Sequence, residues 1–443
     1  MKIQSPAAIG ILVAFVFACS PTAEETPTPP GRVLIVGLDG ATQKVIAPLV
    51  EAGELPHFAA LARNGTTASI RAPRPVLSPR IWTSVTTGQL PEQHGILDWV
   101  KKGPHGKLLL YSNLDRTGPA LWNIASAAGK TVGVVNWLMT QPPDVINGVM
   151  VSDHAVPGMT ASRLPMAKDV AVMRFGGANG KVHAPEIAIA YAHPEEWVER
   201  SAALRDASSS LTDEPNPFDG PEWQGHPIFD FLRGVYRDDE LALRTALEVQ
   251  EATSPDLMMV YFPGVDRTSH LLWQGIEVPE NPPPYIKIHP AKIRANHRRA
   301  LLGYYRFTDA LLGKLLEPYG PNDLVIVLSD HGFEASTLPN TMDGIHDSDD
   351  ARDGILYMRG RGVSAGATAG RIAHVDIAPT VLAWLGLPVA RDMPGSVATF
   401  VRTGSVATTP SYRSSVRVER VAAPASDVEG DIINQLRTLG YVE

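Results

Sequence analysis

The stretch that most constrains this chain is L-V-I-V-L-S-D-H-G-F, residues 324–333. Five apolar residues in a row are too few for a lone helix and suit a strand buried on both faces. The run ends in Ser329 and then in two strong metal ligands, Asp330 and His331, before Gly332 lets the chain turn. In open α/β sheets, ligands collect at the carboxyl ends of the strands. A carboxylate and an imidazole at such an end form half of a divalent-metal site. On its own the stretch reads equally well as an ordinary strand-to-loop turn, so the rest of the chain must decide.

The arrangement recurs. Residues 32–38 (R-V-L-I-V-G-L) form a buried-strand pattern that runs into Asp39-Gly40. Residues 256–262 (D-L-M-M-V-Y-F) form another, followed by P-G-V-D-R-T-S-H. Asp266 and His270 are four apart, so on a helical turn they share a face. His346, in M-D-G-I-H-D, precedes a further apolar strand at 354–358. Helical spacing is expected over residues 47–64, 120–128, 230–252, 299–316 and 376–385, with further strands at 131–136 and 148–152. His374, just before the 376–385 helix, reads as structural. The pattern weakens over residues 157–231 and again over 277–297, which read as insertions that cap the site. A short closing helix is expected within 432–442.

Placed together, the six ligand-type residues make two three-ligand sites. Asp39, Asp330 and His331 form one, and Asp266, His270 and His346 the other. Mixed Asp/His ligands suit zinc, with manganese or iron as alternatives. Two such metals about 4 Å apart clamp the attacking and leaving oxygens of a phosphoryl transfer. Residues 75–95 supply a nucleophile. Ser78 is followed by Pro79, which suits the first turn of a helix expected over 81–87 and closed by Gly88. A hydroxyl there is either a plain helix cap or, beside a metal, a nucleophile toward phosphorus.

These segments resemble the alkaline phosphatase superfamily, and within it the type I phosphodiesterase/nucleotide pyrophosphatase family. The matching motifs are V-L-I-V-G-L-D-G, L-S-P-R-I-W-T-S-V-T-T-G with Q-L-P-E-Q-H-G-I, P-G-V-D-R-T-S-H, L-S-D-H-G-F and the G-I-H turn. W-L-M-T-Q-P-P and D-I-A-P-T-V-L-A-W-L-G-L-P are also similar, so the resemblance spans roughly residues 32–394 apart from the insertions. It implies an α/β fold with a mostly parallel central sheet flanked by helices on both faces. It also implies two zinc ions and a covalent phospho-enzyme on the hydroxyl, hydrolysed by water. By that resemblance Asp39, Ser78, Asp330 and His331 serve one zinc, and Asp266, His270 and His346 the other. Two positions depart from the pattern. Many members use Thr where this chain has Ser78. They also place an Asn after the H-G-I motif, where this chain has Leu97-Asp98-Trp99; Asn136 and Thr140 are the substitutes considered for phosphate binding.

The substrate expected is a phosphate ester, a small molecule or a lipid head group. A phosphomonoesterase, a phospho-head-group transferase and a non-catalytic metal- or phosphate-binding lipoprotein are the alternatives. A sulfatase is disfavoured, because Ser78-Pro79-Arg80 lacks the spacing of the sulfatase nucleophile motif. The net charge of −8 and the absence of a basic block give no sign of binding to a nucleic-acid duplex.

The single cysteine, Cys19, excludes an internal disulfide. Met1-Lys2 is a positive start, residues 7–18 are apolar but too short to span a bilayer, and V-F-A-C resembles a bacterial lipobox. On this reading residues 1–18 are a lipoprotein signal, Cys19 carries the lipid, and 19–31 are a disordered Pro/Thr/Glu-rich tether. Residues 32–443 form the catalytic domain, held in the periplasm on the outer or cytoplasmic membrane. An ordinary secretory signal cleaved near Ala18 or Ala23 is the alternative.

Overall fold

A computed structural model describes residues 31–103, 108–153, 191–205, 210–223, 227–338 and 342–422. The leader with Cys19, much of the 157–231 insertion and the 432–442 segment lie outside the described residues.

The expected apolar runs are strands. They are β1 (Val33–Leu38), β3 (Val132–Val135), β4 (Gly148–Val151), β6 (Leu257–Phe262) and β7 (Leu324–Leu328). With β2 (Thr66–Arg71), β5 (Ala192–His193), β8 (Asp353–Arg359), β9 (Ala367–Thr368) and β10 (Ile372–Ala373) they complete one ten-stranded sheet. Its spatial order is β9-β2-β8-β7-β1-β6-β3-β4-β5, with β10 also on β2. The central block β7-β1-β6-β3-β4 is parallel. β8 runs antiparallel to both β7 and β2, and β5 is an antiparallel edge.

Alternate side chains of β1 serve opposite layers, as strand geometry requires. Leu34 and Val36 pack with α1 (Gln43–Glu51), α2 (Pro56–Asn64), α5 (Pro227–Thr253), α6 (Gly264–Leu272) and α7 (Ala291–Leu316). Val33 and Ile35 pack with α3 (Ser78–Thr87), α4 (Leu121–Ala127) and α8 (Ile377–Trp384). Helices therefore cover both faces, and the sheet is a mixed one with a parallel centre.

Three helix boundaries differ from expectation. Residues 47–64 are not one helix but α1 and α2, set at 94° to each other. Gly53, at φ +77, takes the left-handed turn after α1, and Pro56 starts α2. α3 begins at Ser78 itself rather than after it. α7 starts at Ala291 rather than at 299, so the last part of the 277–297 stretch is helical. Pro290 at its N-cap supplies the boundary. Among the described residues no single helix is long and apolar enough to cross a membrane.

Candidate metal centre and nucleophile

Parallel register sets the site. Leu38 lies opposite Phe262, and Gly37 opposite Leu328, so β1, β6 and β7 end in line. Asp39 follows β1, and its N–H donates to the Phe262 carbonyl at 3.0 Å. Asp266 and His270 project from α6, which starts two residues after β6. Asp330 and His331 follow Ser329 at the end of β7. The Ser329 hydroxyl donates to the Ala41 carbonyl at 2.7 Å and accepts from the Ile355 N–H at 2.8 Å. That serine locks the β7 turn to its neighbours. The Gly40 N–H donates to Asp330 Oδ1 at 3.2 Å, closing the β1 turn onto the β7 turn. Gly40 has φ +66, and a Cβ there would lie 2.5 Å from the Phe333 ring, so only glycine fits.

His346 arrives on a short hairpin formed by Glu334–Ala335 and Gly344–Ile345. A Cβ on Gly344 would sit 2.6 Å from Trp273 and 2.8 Å from the Ser269 carbonyl, so the glycine lets the hairpin press onto α6. The His346 ring then stacks on His331 at 3.8 Å between centroids and lies 5.4 Å from His270. Phe333 forms an apolar wall, 5.0 Å from His270 and 5.7 Å from His331 and His346.

All six ligand-type residues expected from the sequence thus meet in one buried cluster. His331 Nε2 is 3.4 Å from Asp330 Oδ2, 3.5 Å from Asp39 Oδ1 and 3.9 Å from Asp266 Oδ1. His270 Nε2 is 3.4 Å from Asp266 Oδ1. Two groups have ligand atoms within 4.8 Å of one another: Asp39, Asp330 and His331, and Asp266, His331 and His346. His331 stands between the two halves, and His270 adjoins the second through Asp266.

The imidazoles are set up as ligands. His270 Nδ1 faces the Gly344 carbonyl at 2.8 Å, and His331 Nδ1 faces the Gly332 carbonyl at 3.0 Å. A carbonyl only accepts, so each Nδ1 carries a proton, which leaves Nε2 as the ring nitrogen that faces the cluster.

The electrostatics favour a cation at the cluster. Burial, then the Asp330 and Asp266 carboxylates, push Asp39 well above the usual carboxylate range. Burial, with Asp266 adding, pushes Asp330 up to about 6. Burial also opposes ionisation of Asp266, but His270, His331 and His346 together outweigh it and hold that carboxyl low. His346 is driven well below the ordinary histidine value by burial and by His331 and His270. Asp39 Oδ1, Asp330 Oδ2 and His331 Nε2 are buried with no hydrogen-bond partner among the described residues. No Lys or Arg pairs with Asp39 or Asp330 there. Burying such groups uncompensated costs several kcal/mol each, on the order that divalent cations repay. The Asp/His donor set fits zinc, manganese or iron.

Ser78 is buried at the first residue of α3, and its side chain acts on Asp330, offsetting part of the burial that raises that carboxyl. Trp82, one turn on, packs edge-on against Tyr261 at 5.2 Å and against Trp137 at 5.3 Å. The Tyr261 hydroxyl in turn donates to Asp39 Oδ2. Sequence reasoning missed Tyr261; its one signal was a hydroxyl near the end of an otherwise apolar strand.

The polar atoms of the two residues considered for phosphate binding have other partners. Asn136 Nδ2 donates to the Tyr261 carbonyl at 3.0 Å. Thr140 Oγ1 donates to the Trp137 carbonyl at 2.5 Å and accepts from the Asp153 N–H at 3.2 Å. Neither makes a hydrogen bond to the cluster among the described residues. His94, from the H-G-I motif, is also structural. Its Nδ1 accepts from the Ile96 N–H at 3.2 Å and its Nε2 meets the Ser84 hydroxyl at 3.1 Å.

Comparison with solved structures finds similar chains. A 2-O GAG sulfatase, BT1596, aligns with a TM-score of 0.50 at 13% identity, covering 85% of this chain and 76% of that one. Murine ectonucleotide pyrophosphatase/phosphodiesterase 5 aligns at 0.44 and 13% identity, covering 83% of this chain and 97% of that one. An inactive form of the murine protein in complex with AMP aligns at 0.45 and 13% identity, over 83% and 97% of the respective chains. Among curated proteins none matches the sequence. The sequence profile of type I phosphodiesterases / nucleotide pyrophosphatases matches residues 33–380. The chain belongs to the type I phosphodiesterase / nucleotide pyrophosphatase family and is a metal-dependent phosphoric ester hydrolase.

Proposed function

We propose that this chain is a two-metal phosphodiesterase that works through a covalent phosphoseryl intermediate on Ser78. The observation that carries the reading is the convergence of Asp39, Asp266, His270, Asp330, His331 and His346 on one buried cluster, with Ser78 acting on Asp330 from the start of α3. Asp39, Ser78, Asp330 and His331 would hold one ion, and Asp266, His270 and His346 the other; zinc suits both sets. When bound, such ions neutralise phosphoryl oxygens and lower the pKa of a nearby hydroxyl.

The protein's own part is positioning. Ser78 Oγ gives up its proton to solvent and attacks phosphorus, the bond to the ester oxygen breaks, and the leaving oxygen takes a proton from solvent. Water then attacks the same phosphorus and loses a proton to solvent, the Ser78 Oγ–P bond breaks, and the serine oxygen takes up a proton to restore the hydroxyl. The α3 dipole favours the negative charge that gathers at its first residue. Its backbone offers little further, because Pro79 has no N–H and the Arg80 N–H is bonded to the Leu77 carbonyl at 3.0 Å. The Trp82–Tyr261 contact holds α3, and with it Ser78, against Asp39.

The exported reading completes the proposal. Cleavage before Cys19 and lipidation there would hold the catalytic domain in the periplasm, on a tether formed by residues 19–31.

The test is kcat/KM of the zinc-loaded protein on bis-p-nitrophenyl phosphate against p-nitrophenyl phosphate. The proposal expects the diester to be preferred by at least about tenfold, which is about 1.4 kcal/mol of differential transition-state binding. A monoester preference overturns the phosphodiesterase reading in favour of a phosphatase. Turnover of neither leaves a head-group transferase or a binding protein.

A further inference from the structure

A second group of ligand-type side chains lies apart from the main cluster and shares no residue with it. His289 sits in the Pro-rich segment after α6, His297 on α7, and Asp343 just before the Gly344–Ile345 strand. His289 Nε2 is 3.1 Å from Asp343 Oδ1, and His297 Nδ1 is 3.3 Å from Asp343 Oδ2. The two rings are 5.1 Å apart between centroids. One ligand atom from each residue falls within 4.8 Å of the others. Asp343 and His297 are buried, while the His289 side chain keeps 31% of its exposure. No Lys or Arg pairs with Asp343 among the described residues.

We propose that His289, His297 and Asp343 bind a further divalent transition-metal ion of the zinc class. Two imidazoles and a carboxylate, closed on the protein side and open toward solvent, make a three-ligand site with a free position. Tetrahedral zinc with bonds of about 2.0–2.1 Å places neighbouring ligand atoms about 3.3 Å apart. Each His–Asp separation is close to that spacing, one on each oxygen of the Asp343 carboxylate.

The surroundings fix the ligands independently of the ion. Gln274 Oε1 accepts the His289 N–H at 2.9 Å, and Gln274 Nε2 donates to the Lys287 carbonyl at 3.1 Å. The Asp343 N–H donates to the His270 carbonyl at 2.8 Å. An ion here pins the segment after α6 to the turn that leads into His346. The device is a staple beside the main centre: Asp343 is bonded to the backbone of one main-cluster imidazole and lies three residues from another.

The test is zinc bound per chain, measured by elemental mass spectrometry after equilibrium dialysis against zinc. The full chain is compared with His289→Ala, a substitution at a partly exposed side chain. The variant is expected to bind one equivalent less, with an unchanged far-ultraviolet circular dichroism spectrum. Equal stoichiometry overturns the proposal and leaves a hydrogen-bonded His–Asp–His triad. The same pair is compared in a His331→Ala background. There too His289→Ala must cost one equivalent, so failure of the two-metal reading of the main cluster is told apart from failure of this one. If His289→Ala does not fold, His289→Gln, which keeps the bulk of the side chain, is put through the same comparison with the same two outcomes.

Discussion

Asp39 is held from two sides. Its Oδ2 accepts the Tyr261 hydroxyl, and its Oδ1 faces His331 without a hydrogen-bond partner among the described residues. Tyr261→Phe removes the donor and leaves a buried carboxylate oxygen bare. That substitution is expected to lower the unfolding free energy by about 1–3 kcal/mol, read from urea denaturation after chelation; an unchanged midpoint would show that the hydroxyl contributes nothing. Asp239 supplies a pH signature away from the cluster. Burial raises it from 3.8 to about 7, although the Tyr304 hydroxyl donates to its Oδ2. The folded protein therefore holds this proton more tightly than the unfolded chain does. Its stabilising contribution is full below pH about 4 and is lost as pH rises through about 7. Asp239→Asn keeps an acceptor for Tyr304 and removes the titration, so the stability of the native protein relative to the variant should fall across that window. A pH-independent difference in urea midpoints would contradict the assignment. At this scale Asp39, Asp266, Asp330 and His331 were legible because each stands where an apolar run stops or one turn beyond, and His270 and His346 by their spacing to Asp266 and to the next strand. Tyr261 was not, because a tyrosine inside a buried strand looks like packing. Asn136 and Thr140 were chosen for their chemistry, and the structure spends their polar atoms on nearby carbonyls and Asp153.

Elements are joined by a hub that apolar periodicity does not reveal. Asp144 is fully buried in the link between β3 and β4. It accepts from Arg116 at 2.5 Å, Trp122 Nε1 at 2.5 Å, Asn123 Nδ2 at 3.0 Å and Asn113 Nδ2 at 2.8 Å. It thereby ties α4 and the 113–116 turn to the sheet. Asp144→Ala leaves a buried guanidinium without its carboxylate and is expected to cost about 3–5 kcal/mol, measured by urea denaturation. A loss under about 1 kcal/mol would show that Arg116 finds another partner. The apolar strands were readable in the sequence because burial on both faces forces continuous hydrophobic runs. β2 was not. Its sequence T-T-A-S-I-R alternates buried and half-buried positions with little apolar content. The break between α1 and α2 turned on Gly53, whose left-handed backbone carries more weight than the apolar spacing on either side of it.

For the whole molecule, the register of three parallel strands gathers the site. β1 is central, with β6 on one side and β7 on the other, so residues more than two hundred positions apart in sequence finish side by side. Sequence shows that each strand ends in ligands, but not which strands are neighbours, because pairing depends on the path of the whole chain. The second, smaller ligand group was hidden for the same reason: His289, His297 and Asp343 come from three different segments. The central claim is that one buried Asp/His cluster activates Ser78 toward a phosphate ester. The measurement that tests it most directly is turnover of bis-p-nitrophenyl phosphate by the zinc-loaded protein and by Ser78→Ala at equal metal content. The account predicts that kcat/KM falls on the order of a thousandfold or more in the variant. Full turnover without the serine hydroxyl would contradict it.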